Sequence, residues 1–364
     1  MSRFDALYVH VPFCLRKCPY CDFYSEPFVK EGEFSRLIFT ELSIRRPHLS
    51  AFPTVYFGGG TPSLMSPRFF EGVLSKIGQF SEVTVEFNPE DVEPEKLRFL
   101  KELGVNRISL GVQSLSDAVL AKLGRRQRAR DNLTALELAL SLFENVSVDL
   151  IYGAPGQKTD EFLKEVEKLT QYPIKHISLY ALTLYEETPL YKAAERGEVE
   201  LPPDEEVSRA YYGAVELLKG RGFHHYEISN FAIGGFESKH NMCYWRLKNY
   251  LGLGPSAASF KDGLFWKNIS DYEGYRKALE RGELPANSQE EFRGKELLKL
   301  KIAMGMRLTE GVELELFPDE FLENERVKAL IEEGYIELSG ERLRLGKKGL
   351  FVSNAVIGEL LSTL

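Results

Sequence analysis

In the stretch His10-Val11-Pro12-Phe13-Cys14-Leu15-Arg16-Lys17-Cys18-Pro19-Tyr20-Cys21-Asp22-Phe23, three thiols fall within eight residues at the spacing Cys-x3-Cys-x2-Cys. The fourth cysteine, Cys243, lies more than two hundred residues away. In a reducing compartment so tight a cluster points to metal rather than to a disulfide. A structural zinc site would combine two knuckles to close a tetrahedron, and no second knuckle is present. A [4Fe–4S] cluster normally takes four thiolates; Cys14, Cys18 and Cys21 can hold three of its irons and leave the fourth open. Arg16 and Lys17 are placed to offset the negative charge of such a cluster. Tyr20 can shield it or stack on an adenine.

Working outward, the cysteine loop follows a strand-like run, Leu7–Val11. Similar β-branched or aromatic runs recur at Thr54–Phe57, Val83–Phe87, Arg107–Gly111, Val146–Ile151 and His176–Leu184. Segments with helical period lie between them: Glu33–Arg45, Pro67–Phe80, Pro94–Leu103, Ala129–Phe143 and Asp160–Tyr172. Strands alternating with helices mean βαβ units and a parallel sheet. Six units predict an α/β fold, an incomplete parallel (βα)6 barrel, spanning residues 1–221 with a last helix at Asp204–Arg221. Residues 222–289 form an extension rich in glycine and aromatics, too aromatic for a disordered linker. Residues 290–364 predict helices at Glu296–Met306 and Glu325–Glu333, a hairpin at Tyr335–Leu345 and a final helix at Gly349–Leu361. This is the pattern of a small α+β, winged-helix-like module.

In a parallel barrel, chemistry gathers at the C-terminal ends of the strands. Strand after strand here ends in glycine or polar residues: the cysteine loop, then Gly58-Gly59-Gly60-Thr61-Pro62, Glu86 with Asn88-Pro89, Gly111-Val112-Gln113-Ser114, and Asp149 with Tyr152-Gly153. Each has a plain structural reading as a turn or a satisfied buried carboxylate. Mid-strand carboxylates are costly unless paired, and their convergence on one rim favours a binding site. The open iron of the cluster would take the amino and carboxylate groups of S-adenosylmethionine (SAM).

The net charge is −8 and the sequence pI near 5.5. A nucleic-acid partner normally demands a basic surface, and even the winged-helix-like module carries fifteen acidic against eleven basic residues, which favours a protein-contact or lid role. No 18-residue apolar run is present to span a membrane, and no signal peptide is visible. The expectation is a cytoplasmic protein whose membrane contact, if any, is weak and peripheral. A homodimer is compatible with this reading.

With these residues in hand, the chain resembles the radical SAM proteins of the HemN/HemW family. The resemblance rests on Tyr8–Cys21, Gly58–Pro62, Glu86–Pro89, Gly111–Gln113 and Asp149–Gly153, and spans nearly the whole chain. Within the family the HemN branch, oxygen-independent coproporphyrinogen III oxidases, typically has a longer N-terminal extension and a further cysteine where this chain has Phe23. The HemW branch, heme chaperones, carries a His-Asn-x-x-Tyr-Trp motif, and His240-Asn241-Met242-Cys243-Tyr244-Trp245 matches it. The resemblance implies that Cys14, Cys18 and Cys21 ligate a [4Fe–4S] cluster. It implies that Tyr8, Tyr20, Gly59, Gly60, Thr61, Glu86, Gln113, Arg125 and Asp149 line the SAM site. Arg125 can pair with the methionyl carboxylate. It also implies heme contact by His240, Asn241, Tyr244 and Trp245.

Read without the resemblance, His240 has two readings: an axial heme ligand, or a hydrogen-bonded core histidine. Cys243 likewise is a small apolar filler or a thiolate heme ligand. Three functions follow. The first is a heme chaperone that delivers heme to respiratory acceptor proteins. The second is a coproporphyrinogen III oxidase working by radical decarboxylation, against which the short N-terminus argues. The third is another radical SAM reaction with heme as substrate.

Overall fold

The computed structural model describes residues 3–45, 52–78 and 80–364. Six parallel strands form its centre: β1 (Ala6–Val11), β2 (Thr54–Gly59), β3 (Glu82–Phe87), β4 (Arg107–Gln113), β5 (Asn145–Tyr152) and β6 (His176–Ala181). They pair in sequence order, β1 through β6. Helices Glu31–Ile44, Pro67–Leu74, Pro94–Glu102, Ala129–Leu142 and Thr159–Leu169 make the crossovers. The expected helix over Pro67–Phe80 ends early, at Leu74, and its position 79 lies outside the described residues. The expected strand to Leu184 stops at Ala181.

Each strand alternates, and the alternation explains the layers. On one face stand Val9, Val55, Phe57, Val85, Ile108, Val148 and Ile177, all fully buried under the crossover helices. On the other face stand Tyr8, Tyr56, Thr84 and Arg107, level with one another, and Ser109, Ser147 and His176, level one step of the pleat further on. Sheets covered on both faces usually read as unbroken apolar runs; here the inner face is polar. The sheet curls around it. Burial, then Glu86, raise the Tyr56 hydroxyl on β2, and Tyr180 on β6 adds to this, although four strand spacings of a flat sheet would be about 19 Å. Enclosed as they are, Tyr8, Glu86 and Asp149 keep partial exposure and Tyr180 keeps 42%. The barrel is therefore hollow and open.

Residues 224–291 extend this sheet at both edges. Beyond β6 come β8 (Asn230–Ala232) and β7 (His224–Glu227), antiparallel; beyond β1 come β9 (Tyr250–Leu253), β10 (Ala258–Lys261), β11 (Leu264–Asn268) and β12 (Ala286–Glu291). Only β9 runs parallel to its barrel neighbour, β1. A buried knot ties this edge to the first helix. Glu41, fully buried, accepts from Arg45 at 3.0 Å, Asn268 at 2.9 Å, the Tyr275 hydroxyl at 2.7 Å and the Gly254 N–H at 3.0 Å.

The C-terminal module has its own core, with Ile302, Met306, Val327, Ile336, Leu343 and Leu360 at its centre. Its helices are Gly294–Gly305, Glu325–Glu332, Lys347–Phe351 and Ser353–Ser362, the expected helix over Gly349–Leu361 being broken at Val352, and β14 (Ile336–Ser339) pairs with β15 (Arg342–Leu345) as the expected hairpin. A two-residue strand, β13 (Val312–Glu313), adds a third member that the sequence pattern did not reveal. Among the described residues no helix is long and apolar enough to cross a membrane.

Candidate functional site

The cysteine loop leaves β1 at the C-terminal rim. Two glycines of β2 and its following turn make room for it. A Cβ on Gly60 would stand 2.6 Å from the Phe13 carbonyl oxygen, and Gly59 has φ +112 with the His10 ring in the space a Cβ would fill. These glycines thus serve close packing of the loop on β2. His10 is fixed from both sides: Nδ1 bonds the Tyr8 hydroxyl at 3.1 Å and Nε2 the Tyr24 carbonyl at 2.9 Å.

All three loop thiols are free and half-buried. Cys14 Sγ lies 3.4 Å from the Thr61 hydroxyl, and Arg125 Nη1 donates to Cys18 Sγ at 3.6 Å. Burial, then the neighbouring Cys18 and Cys14, push the Cys21 thiol up. The three are thus close enough to feel one another. Yet among the described residues no three His, Cys, Asp or Glu side chains converge on a point where a single metal ion could sit. Three soft thiolate donors on one loop fit ligands to the irons of a cluster.

Arg125 is the hub beside the loop. It donates to Asn88 Oδ1 at 2.7 Å, the Gly111 carbonyl at 3.2 Å and Gln127 Oε1 at 3.2 Å. Asn88 in turn donates to Thr61 at 3.3 Å. Cys18, Thr61, Asn88, Gly124 and Arg125 line one small pocket. Burial holds the Tyr20 hydroxyl protonated, and it sits in hydrogen-bonding reach of Cys18. Gln113 has φ 64, at a break in the β4–β5 register. A left-handed non-glycine residue stores strain that functional sites often keep.

Deeper in the lumen, burial pushes Glu86 up to about 7, while the Tyr56 hydroxyl at 2.7 Å holds it back in part. Burial also raises Asp149, which accepts from Ser109 at 3.1 Å. Arg107, buried beneath them, faces Glu82, Tyr56 and Asp149.

The other end of the barrel is plugged by a short helix, Lys239–Trp245. Glu82 accepts from the N–H groups of Lys239 at 3.2 Å and His240 at 3.1 Å. Ser147, His176, Tyr226 and Ser238 continue the floor as a chain of hydrogen bonds of 2.7, 2.7 and 3.2 Å. His240 itself is 1% exposed. Its Nδ1 bonds Thr54 Oγ1 at 3.0 Å and its Nε2 the Tyr244 hydroxyl at 2.7 Å. Both ring nitrogens are engaged, so His240 is not presented to a ligand in this arrangement. Trp245 packs under the Arg307 guanidinium at 4.8 Å.

Comparison with known proteins agrees with this fold. The model of the radical SAM superfamily matches residues 8–169 and that of the HemN C-terminal domain residues 294–352. The chain is 32% identical to "Heme chaperone HemW" of Bacillus subtilis, covering 98% of this chain and 99% of that one. The chain belongs to the HemN/HemW family of radical SAM proteins. It is 35% identical to "Radical S-adenosyl methionine domain-containing protein 1, mitochondrial" of Mus musculus, over 99% of this chain and 88% of that one. Coproporphyrinogen III oxidase (HemN) from Escherichia coli shares the fold, with a TM-score of 0.83 at 20% identity, over 100% of this chain and 91% of that one.

Against this family frame, the structure gathers Tyr20, Thr61, Gln113 and Arg125 around the cysteine loop, and Tyr8, Glu86 and Asp149 in the lumen wall. His240 and Tyr244 stand at the barrel floor, where the His240 ring lies 6.4 Å from that of Tyr8 and 5.0 Å from that of Tyr56. Arg107, Tyr56, Ser109 and Tyr180 are not among the expected site residues, which are drawn from the C-terminal rim and from mid-strand carboxylates. The signal was present in the period-2 polar positions of each strand.

Proposed function

We propose that this chain is a heme chaperone of the radical SAM type, which carries a [4Fe–4S] cluster and SAM and passes heme to acceptor proteins. The observation that carries the reading is the full-length similarity to proteins named heme chaperone, together with the His240–Trp245 motif. Cys14, Cys18 and Cys21 would hold the cluster, and Arg125 with Tyr20 and Thr61 would hold the SAM end nearest to it. Glu86 and Asp149 would take the polar groups of its ribose or amino end as acceptors. The cluster, when bound, supplies an open iron and one-electron chemistry. The chain's own groups orient and enclose the ligand: Arg125 brings a fixed cation, and Arg107 compensates the lumen carboxylates.

Anaerobic reconstitution with iron and sulfide, followed by hemin titration with and without SAM, tests the reading. A brown chromophore with about four irons per chain and saturable hemin binding are expected. Failure of either removes the proposal. Formation of 5′-deoxyadenosine only with heme present would turn it towards an enzyme acting on heme.

A further inference from the structure

The chain as a whole is acidic, with a net charge of −8. The surface over the cysteine loop departs from this. Residues 14–23 and 122–130 hold seven arginines and lysines against one carboxylate, Asp22. The two segments touch. A Cβ on Gly124 would stand 2.5 Å from Pro19 Cδ, and Arg16 and Arg126 line one small pocket with Leu15 and Cys18. Arg126 is paired with Glu90 at 3.0 Å and Arg130 with Asp131 at 3.4 Å. Arg16, Lys17, Lys122 and Arg128 are exposed and make no ion pair among the described residues.

The same surface is apolar. Phe23 is 67% exposed and Leu15 53%, the two most exposed large apolar side chains among the described residues. Phe28 and Val29, also exposed, follow just past Glu26, whose backbone bonds those of Pro12 and Cys14. Exposed apolar groups rimmed by charge mark an interaction surface. This one reaches the thiols directly: the Phe23 N–H donates to the Cys21 thiol, and Arg125 donates to Cys18. A single hydrogen bond thus separates Phe23 from a cluster ligand. The four unpaired cations select a partner with an acidic surface. An anionic lipid surface would satisfy the same cations but has no use for the contact with the thiols.

We propose that this face docks an acidic electron-carrier protein, one whose flavin or iron–sulfur centre hands a single electron to the cluster through the Phe23–Cys21 contact. The proposal rests on the cluster of the heme-chaperone reading and supplies its source of electrons. The exchange is balanced: the carrier's centre loses one electron, the cluster passes from its oxidised to its singly reduced state, and no bond forms or breaks. Arg16, Lys17, Lys122 and Arg128 steer and hold the carrier, and Leu15 and Phe23 exchange water for contact with it.

The test uses the full chain with its cluster reconstituted anaerobically, and two acidic probes, flavodoxin hydroquinone and a reduced plant-type ferredoxin. Stopped-flow absorption follows loss of the electron from the probe, and electron paramagnetic resonance counts reduced cluster. Photoreduced 5-deazariboflavin, small and uncharged, is the reductant that needs no docking. At least one probe should reduce the parent chain, at a rate that falls steeply with salt. Lys122→Glu/Arg128→Glu should slow that reaction at least about tenfold at low ionic strength. The difference should close towards about 1 M salt, where the screening length is about 3 Å. Phe23→Ala should slow it several-fold at every salt concentration. Both variants should load iron and accept electrons from deazariboflavin as the parent does. Variants reduced by the probes at the parent rate overturn the proposal, as does a parent chain that deazariboflavin reduces and neither probe does. So does a dimer of the parent chain that Lys122→Glu/Arg128→Glu dissociates in sedimentation, or flotation with phosphatidylglycerol vesicles that the same substitutions abolish, since the patch would then belong to a second copy or to lipid. A chain that takes up no cluster overturns the heme-chaperone reading and the docking with it, whereas every result above leaves that reading standing.

Discussion

Thr54, the first residue of β2, and His240, on the helix that plugs the barrel floor, share a hydrogen bond of 3.0 Å across 186 positions of sequence. Neither end has water to fall back on, because Thr54 is 2% and His240 1% exposed. Thr54→Val should therefore cost about 1–3 kcal/mol by leaving a buried imidazole nitrogen unpaired. Urea unfolding measures it. A change below a few tenths would mean that the bond does not hold the floor.

The same histidine gives the fold a pH dependence. Burial, then Arg107, hold His240 down to about 3, whereas an unfolded histidine titrates near 6.5. Between these values the unfolded chain binds more protons. Stability rises with pH across that window and is lost as pH falls from about 6.5 towards 3. His240→Gln should reduce the slope of unfolding free energy against pH by about one proton between pH 4 and 6. An unchanged slope would show that His240 titrates normally in the fold.

Glu41 offers a stability test remote from any ligand. Removing it by Glu41→Ala leaves Arg45, 7% exposed, as an unpaired buried cation. Breaking one partner of such a pair costs about 3–5 kcal/mol. Glu41→Gln keeps the hydrogen bonds in part and should cost less. Equal melting temperatures for both variants and the parent would refute the account.

Gly60→Ala addresses the cysteine loop without touching a thiol. The new Cβ would meet the Phe13 carbonyl at 2.6 Å, so the loop must shift. Iron and sulfide content after reconstitution should drop well below that of the parent chain, while far-ultraviolet circular dichroism stays unchanged. Full iron loading would show that the loop tolerates the displacement.

Arg125→Lys keeps a charge but loses the planar fork that bonds Asn88, Gly111 and Gln127 together. Lysine and arginine are not equivalent at such a junction. SAM affinity, measured by equilibrium dialysis on reconstituted protein, should fall about tenfold or more, with the cluster intact. Unaltered affinity would remove Arg125 from the SAM site.

Local signals made much of this legible. The cysteine spacing, the strand–helix alternation and the C-terminal hairpin each reside in short stretches, and the structure carries them within a few residues. The strands of 224–291 escaped notice for a physical reason. They are three to six residues long, and their pairing with β6 and β1 comes from distant chain rather than from their own propensity.

The residues of the chain determined by themselves that three thiols share one loop after the first strand, that six βα units follow, and that His240 and Cys243 fall three positions apart. Only the tertiary structure decided which way those two side chains point. A seven-residue helix has no preferred orientation of its own. Glu82 at its N-terminus and Thr54 beneath it, which both His240 and the Cys243 thiol reach, seat the helix on the barrel floor. That choice arises from contacts between segments more than 150 positions apart, which no local pattern encodes.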